Sequence, residues 1–213
     1  MTDLRITEIF YSLQGEANTV GIPTVFIRLT GCPLRCVYCD SSYAFTGGKK
    51  MTIADIINEV KQYQCQYITV TGGEPLAQPA SLDLMQQLAD LGYNISLETS
   101  GALDVSKVDA RVSKVIDLKT PDSGELEKNR YQNLEHITHK DQLKFVISSD
   151  TDYQWSKNII NQYQLLGRCE ILFSPVAGQQ NPTELAEKIL ADRLPVRFQI
   201  QLHKLLWGDV QGK

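Results

Sequence analysis

Apolar runs of strand length alternate along this chain with apolar positions spaced three and four residues apart. Residues 24–29 are mostly apolar and predict a strand that ends just before a cysteine-rich loop. Thr52-Ile53-Ala54-Asp55 reads as a capping box, after which Ile53, Ile56, Ile57 and Val60 share one face of a helix. The next strand is 67–70. It runs into Thr71-Gly72-Gly73-Glu74-Pro75 and then a helix with Leu84, Leu88 and Leu91 along one side, stopped by Gly92 as a C-terminal cap.

Further strands are expected at 94–98, 115–118, 143–147, 170–173 and 196–201. Helices fit between several of them. After Thr151, the spacing of Trp155, Ile159 and Tyr163 is helical, and Asn181-Pro182 offers an N-cap with proline at the first helical position, ahead of Leu185 and Ile189. Strand and helix alternating on this scale predict an α/β fold with a parallel sheet and right-handed crossovers.

The chain has 213 residues, 42% of them hydrophobic, enough for one substantial core and short for two. A single domain spanning 1–213 is the expectation, without repeats, low-complexity tracts or long linkers. The net charge of -4 gives no general attraction to phosphate backbones, so a small-molecule substrate fits better than direct nucleic-acid binding. No apolar run is long enough to span a bilayer, and the stretch that starts at Met1 lacks a basic start followed by an apolar core. The five cysteines are odd in number and three are crowded into eight residues, which argues against a disulfide framework. A soluble, cytoplasmic protein is expected.

Those three cysteines, Cys32, Cys36 and Cys39, have the spacing C-x3-C-x2-C and can give three thiolates to one iron-sulfur cube. The fourth iron would then lack a protein ligand and could chelate a small molecule and pass an electron into it. The alternative is a tetrahedral zinc in an interaction module, which wants a fourth ligand. The remaining candidates, Cys65, Cys169, His136, His139 and His203, are scattered, and only folding can bring one near. Cys65 and Cys169 border predicted strands and read as small buried hydrophobes. Gly72 and Gly73 let the backbone approach a ligand closely, with an ordinary turn as the other reading.

The cysteine spacing, with Tyr38 in the aromatic position before the last cysteine, resembles the signature of the radical S-adenosylmethionine (SAM) enzymes. That resemblance implies a 4Fe-4S cluster whose open iron is chelated by SAM, and a partial (βα)6 TIM-like barrel. In such a barrel the loops after the strands converge on one mouth. They would gather the cysteine loop, the Gly72-Gly73-Glu74 segment and Glu98-Thr99-Ser100-Gly101. Glu74 would offer its carboxylate or carbonyl to the SAM ammonium, and Tyr38, Asp40, Gly101, Lys119 and Ser148 would complete the cofactor contacts.

Phe10-Tyr11-Ser12-Leu13-Gln14-Gly15-Glu16 with Arg28, Thr99-Ser100-Gly101, Asp117-Leu118-Lys119-Thr120-Pro121 with Ser123-Gly124, and Gln201-Leu202-His203-Lys204 resemble the 7-carboxy-7-deazaguanine synthase family over nearly the whole chain. The resemblance implies a lyase that converts 6-carboxy-5,6,7,8-tetrahydropterin to 7-carboxy-7-deazaguanine with loss of ammonia, in queuosine and deazapurine biosynthesis. No catalytic side chain beyond the cluster and SAM is implied. Gln14, Glu16 and the backbone of Leu13 and Gly15 would pair with the pterin edge. Arg28 would clamp the carboxylate, and Thr99 would add a hydroxyl.

The same resemblance implies Mg2+, held by Ser41 where the family pattern often has threonine. It also implies an electron donor such as flavodoxin or ferredoxin, and a homodimer whose interface Trp207 could join. A second departure is Ala17, where the family run continues with glycine, which restricts the loop. His203 and Lys204 would reach the mouth from the last strand. The rival within the superfamily is an activating enzyme that generates a glycyl radical on a partner protein.

Overall fold

The computed structural model describes residues 3–213. Met1 and Thr2, which open the stretch read above for a leader, lie outside them. Nine strands form a single sheet: β1 (Asp3–Leu13), β2 (Pro23–Leu29), β3 (Lys49–Thr52), β4 (Tyr67–Gly72), β5 (Asn94–Thr99), β6 (Ser113–Asp117), β7 (Gln142–Ile147), β8 (Glu170–Pro175) and β9 (Arg197–Phe198). The helices are α1 (Ile53–Gln62), α2 (Ala80–Asp90), α3 (Asp150–Gln162), α4 (Pro182–Ala191) and α5 (Leu202–Trp207).

The strand order is β3-β1-β2-β4-β5-β6-β7-β8-β9. From β2 to β9 every neighbouring pair is parallel, whereas β1 runs antiparallel to both β2 and β3. The parallel strands are those the alternation predicts, and together they make the partial barrel that the resemblance implies. Two crossovers, β5 to β6 and β6 to β7, carry no α-helix; the second is built from short 3-10 turns at Pro121–Ser123, Leu126–Lys128 and Tyr131–His136.

The local signals for the helices act as expected. Thr52 Oγ1 accepts from Asp55 N at 3.1 Å and caps α1, and Asn181 caps α4 through Thr183 N and Glu184 N. The α1 face of Ile53, Ile56, Ile57 and Val60 is buried, as are Leu84 and Leu88 of α2. Leu91 departs from expectation. It follows the last turn of α2 and is 51% exposed, because Gly92, at φ 86°, turns the chain away before a further apolar contact forms.

The last strand is shorter than the pattern suggests. Only Arg197–Phe198 pairs with β8, and Gln201 sits at the N-cap of α5, so His203 and Lys204 lie on a helix and not on a strand. Val196 and Phe198 pack against the core cluster, whereas Ile200 is exposed. β1 and β3, which the sequence pattern leaves unassigned, pair across Asp3–Thr52 to Ile6–Lys49 and close the edge beside β2.

Strand side chains alternate between two faces, and this sheet uses the alternation to separate two chemistries. Ile27, Val70, Leu97, Ile116, Leu143, Phe145 and Phe173 belong to the core cluster between the sheet and helices α1 to α4. Arg28, Thr71, Glu98, Asp117, Lys144 and Ser174 alternate with them and line a cavity inside the barrel. Many barrels fill this space with apolar layers; here the interior is polar and open.

Candidate active site

A cavity of about 360 Å³ opens at the C-terminal ends of the parallel strands. All the residues expected to bind substrate line it: Leu13, Gln14, Gly15, Glu16, Arg28 and Thr99. So do Cys32, Cys36, Cys39 and Ser41, together with Tyr38, Asp40, Gly72, Gly73 and Lys119. Glu74, Gly101 and Ser148 are the exceptions.

The cysteine loop is fixed at its root. Gly31 N donates to Ala44 O at 2.8 Å, and Glu74 N donates to Gly31 O at 2.7 Å. A Cβ at Gly73 would collide with the Gly31 carbonyl and lie 2.9 Å from Cys32 Cβ. The glycine pair therefore serves a close approach between the loop after β4 and the loop after β2, where the sequence suggested approach to a ligand. Leu34 N lies 3.4 Å from Cys32 Sγ, a donor suited to a thiolate. Burial pushes the Cys36 thiol up to about 11 while Lys119 pulls the other way.

All five cysteines are free. Cys65 and Cys169 precede β4 and β8, at the strand starts, whereas the other three line the cavity beyond the strand ends. Among the described residues no three metal-binding side chains are already gathered at metal-ligand spacing; the three thiols share one loop and one cavity wall. That donor set suits a 4Fe-4S cluster with one iron left without a thiolate, and offers zinc no fourth cysteine. Asp117 Oδ1, of a cavity-lining residue, is buried without a hydrogen-bond partner among the described residues. A bound ligand with donors, such as SAM, would satisfy it. The other oxygen of Asp117 pairs with Lys119 Nζ at 2.8 Å.

The Glu74 carboxylate does not face the cavity. It is fully buried and accepts from Leu76 N at 3.0 Å, Thr99 Oγ1 at 2.9 Å, Ser100 N at 2.7 Å and Ser100 Oγ at 2.5 Å. It works as a strut joining the loops after β4 and β5, and its backbone is engaged as well: the N–H donates to Gly31 O and the carbonyl accepts from Ala77 N at 3.1 Å. Thr99 is correspondingly committed as a donor. Ser148 Oγ donates to the buried Asp152 at 2.6 Å, at the start of α3.

Within the barrel, Gln14 Nε2 donates to Thr69 Oγ1 at 3.0 Å and to Glu98 Oε1 at 3.3 Å, while its Oε1 accepts from Glu16 N. Glu16 Oε2 accepts from Lys144 Nζ at 2.5 Å. Burial alone would raise the Glu16 pKa, but the Lys144 ammonium overrides it and holds the carboxyl below its ordinary value. Glu98 goes the other way: burial first, then the charge of Glu16, raise it. Arg28 Nε donates to Glu8 Oε1 at 2.7 Å.

Lys144 was not among the expected site residues, and Glu98 was expected at the mouth only as part of the Glu98-Thr99-Ser100-Gly101 segment, with no role of its own. Their signal was present in the strand pattern: charged residues at inward positions of strands whose alternate positions are apolar.

Helix α5 covers the loop after β1. Leu202 N donates to Gly15 O at 3.0 Å, and a Cβ at Gly15 would run into the His203 ring, so its carbonyl is taken by α5. Gln201 Nε2 donates to Asp40 Oδ2 at 3.1 Å, tying α5 to the cysteine loop as well. Ala17 adopts φ 64°, the left-handed region that costs a side-chain-bearing residue about 1–2 kcal/mol. Its N–H is held by Gln199 Oε1 at 3.0 Å.

A three-thiol loop at the C-terminal mouth of a parallel barrel is how radical SAM enzymes hold their cluster, and the Radical SAM superfamily pattern matches residues 26–121. The cofactors of that class are a 4Fe-4S cluster and SAM. The chain is 45% identical over 213 residues to the 7-carboxy-7-deazaguanine synthase of Chlorobaculum tepidum, covering 98% of this chain and 97% of that protein. It is 39% identical to the protein of that name from Koribacter versatilis, covering 96% and 97%. This chain therefore belongs to the 7-carboxy-7-deazaguanine synthase family.

Among solved structures, QueE from Escherichia coli shares the fold with a TM-score of 0.79 at 21% identity, covering 95% of this chain and 96% of that one. Streptococcus suis SuiB bound to S-adenosylmethionine aligns with a TM-score of 0.54 at 12% identity, over 80% of this chain and 45% of that one. The full-length relatives do not favour the activating-enzyme reading.

Proposed function

We propose that this chain is a lyase that contracts the ring of 6-carboxy-5,6,7,8-tetrahydropterin to 7-carboxy-7-deazaguanine with release of ammonia, in queuosine and deazapurine biosynthesis. The observation that carries this reading is one cavity lined both by three free thiols and by Gln14, Glu16 and Arg28. When bound, the cluster and SAM supply one-electron hydrogen-abstraction chemistry. The chain's own residues bind and orient.

Glu16, kept ionised by Lys144, can accept two N–H donors from a pterin edge. Gln14 is turned toward the same space by Thr69 and Glu98. Arg28 offers a cation to the substrate carboxylate. Lys119 and Asp117 beside the cysteine loop, with Tyr38, Asp40 and the Gly72–Gly73 backbone, form the SAM side of the cavity.

We assign Mg2+ to Ser41, whose hydroxyl lies 3.9 Å from Cys39 Sγ and lines the cavity. Magnesium takes few protein oxygens and completes its shell with substrate and water. A flavodoxin or ferredoxin would deliver the electron. A homodimer using the half-buried Trp207, a single 1–213 domain and a cytoplasmic location complete the proposal; no helix among the described residues is long and apolar enough to cross a membrane.

The test is anaerobic: reconstitute iron and sulfide, add reductant, SAM and 6-carboxytetrahydropterin with or without magnesium, and look for 7-carboxy-7-deazaguanine by mass spectrometry. Product without matching loss of SAM supports the reaction. SAM cleavage without deazaguanine removes the substrate assignment, and equal yield after chelation of magnesium removes the metal.

A further inference from the structure

Glu8 and Arg28 face each other across the antiparallel β1–β2 pair. One carboxylate oxygen, Glu8 Oε1, receives two donors: Arg28 Nε at 2.7 Å and the Tyr43 hydroxyl at 2.7 Å. Tyr43 belongs to the 3-10 turn Ser42–Phe45, immediately after the cysteine loop. The guanidinium carbon lies 5.7 Å from the Tyr43 ring centre and 5.8 Å from that of Phe10, and Phe10 in turn stacks on Phe26 at 4.8 Å. Arg28 is thus held through one nitrogen and flanked by two rings, in a residue that lines the cavity.

An arginine buried only for structure can use its fork bidentately on a carboxylate partner. Here the partner takes Nε alone, and among the described residues the two terminal nitrogens have no hydrogen-bond partner. We infer that Glu8 and Tyr43 are positioning residues that orient Arg28 so that its two terminal nitrogens meet the substrate carboxylate end-on, with Tyr43 linking that anchor to the cysteine loop. This rests on the reading of Arg28 as the carboxylate anchor.

Lysine in place of Arg28 keeps the charge but has no fork. Tyr43→Phe removes the hydroxyl without changing charge. Glu8→Asp keeps the charge and withdraws the oxygen by one methylene.

The test is calorimetric binding to the full-length, cluster-loaded chain, with 7-carboxy-7-deazaguanine and with 7-deazaguanine, which lacks the carboxylate. The wild-type chain should prefer the carboxylated ligand, and Arg28→Lys should remove most of that preference. Tyr43→Phe and Glu8→Asp should each weaken the carboxylated ligand by about three- to tenfold, the worth of one hydrogen bond, and leave 7-deazaguanine unchanged. In the Arg28→Lys background, Tyr43→Phe should have no further effect.

Equal weakening of both ligands by Tyr43→Phe and Glu8→Asp, or no weakening, overturns the positioning role while leaving the anchor intact. A preference that survives Arg28→Lys undiminished overturns the anchor itself. Should one variant fail to fold, as thermal melting would show, the other decides.

Discussion

The Lys144 ammonium sits 2.5 Å from the Glu16 carboxylate, although 128 residues separate them, with side-chain exposures of 15% and 11%. Replacing the lysine by methionine keeps most of its volume and strands a buried anion. Losing one partner of such a pair costs about 3–5 kcal/mol. We expect Lys144→Met to lower the denaturant midpoint accordingly and to weaken product binding at neutral pH.

The two carboxylates of this interior respond oppositely to pH. Glu16 is held below its unfolded value, so its stabilising contribution is present above that value, about 4.3, and lost as pH falls through the lower folded one. Glu98 is raised by burial and by Glu16, so stability is lost as pH rises from its unfolded value through the raised folded one, and acidification relieves the cost. Glu98→Gln should therefore stabilise the chain most at neutral and alkaline pH, with the gain shrinking on acidification. Denaturant unfolding across roughly pH 5–8 reads this directly, and a gain that grows toward acid would contradict the assignment.

Gly73→Ala places a methyl against the Gly31 carbonyl and the Cys32 side chain. Overpacking of this kind costs about 1–3 kcal/mol, and the strain falls on the cysteine loop. The variant should fold, with a lowered melting temperature, and take up less iron and sulfide on reconstitution. Iron uptake equal to wild type would separate this contact from the loop.

Leu88 and Leu91 test the helix face they were expected to share. Leu88 is fully buried and Leu91 is half exposed. Leu88→Ala should cost about 2–5 kcal/mol, whereas Leu91→Ala should stay within about 0.5 kcal/mol. Comparable losses would mean that α2 packs one residue further than the structure shows.

Much of this molecule was legible in short-range pattern. The capping box at Thr52, the Asn181-Pro182 start, the strand runs and the three cysteines all depend on neighbours a few residues apart. The elements that escaped are held from far away. Helix α5 has no side-chain cap and six residues; its place comes from Leu202 N on Gly15 and Gln201 on Asp40. β1 spans eleven residues and is ordered by pairing on both edges, with β2 and with β3.

By itself the sequence determined the α/β alternation and the cysteine triplet, because spacing along a covalent chain settles periodicity and metal-ligand reach, while Gln14, Glu16 and Arg28 stood out only through their resemblance to a family pattern. Only the tertiary structure decided what each polar group does. Closing the barrel set Lys144 against Glu16, turned the Glu74 carboxylate into a strut between two loops, and left Arg28 with one nitrogen spent on Glu8. A buried charge takes its role from whichever partner the fold delivers within hydrogen-bond reach, and those partners come from different strands.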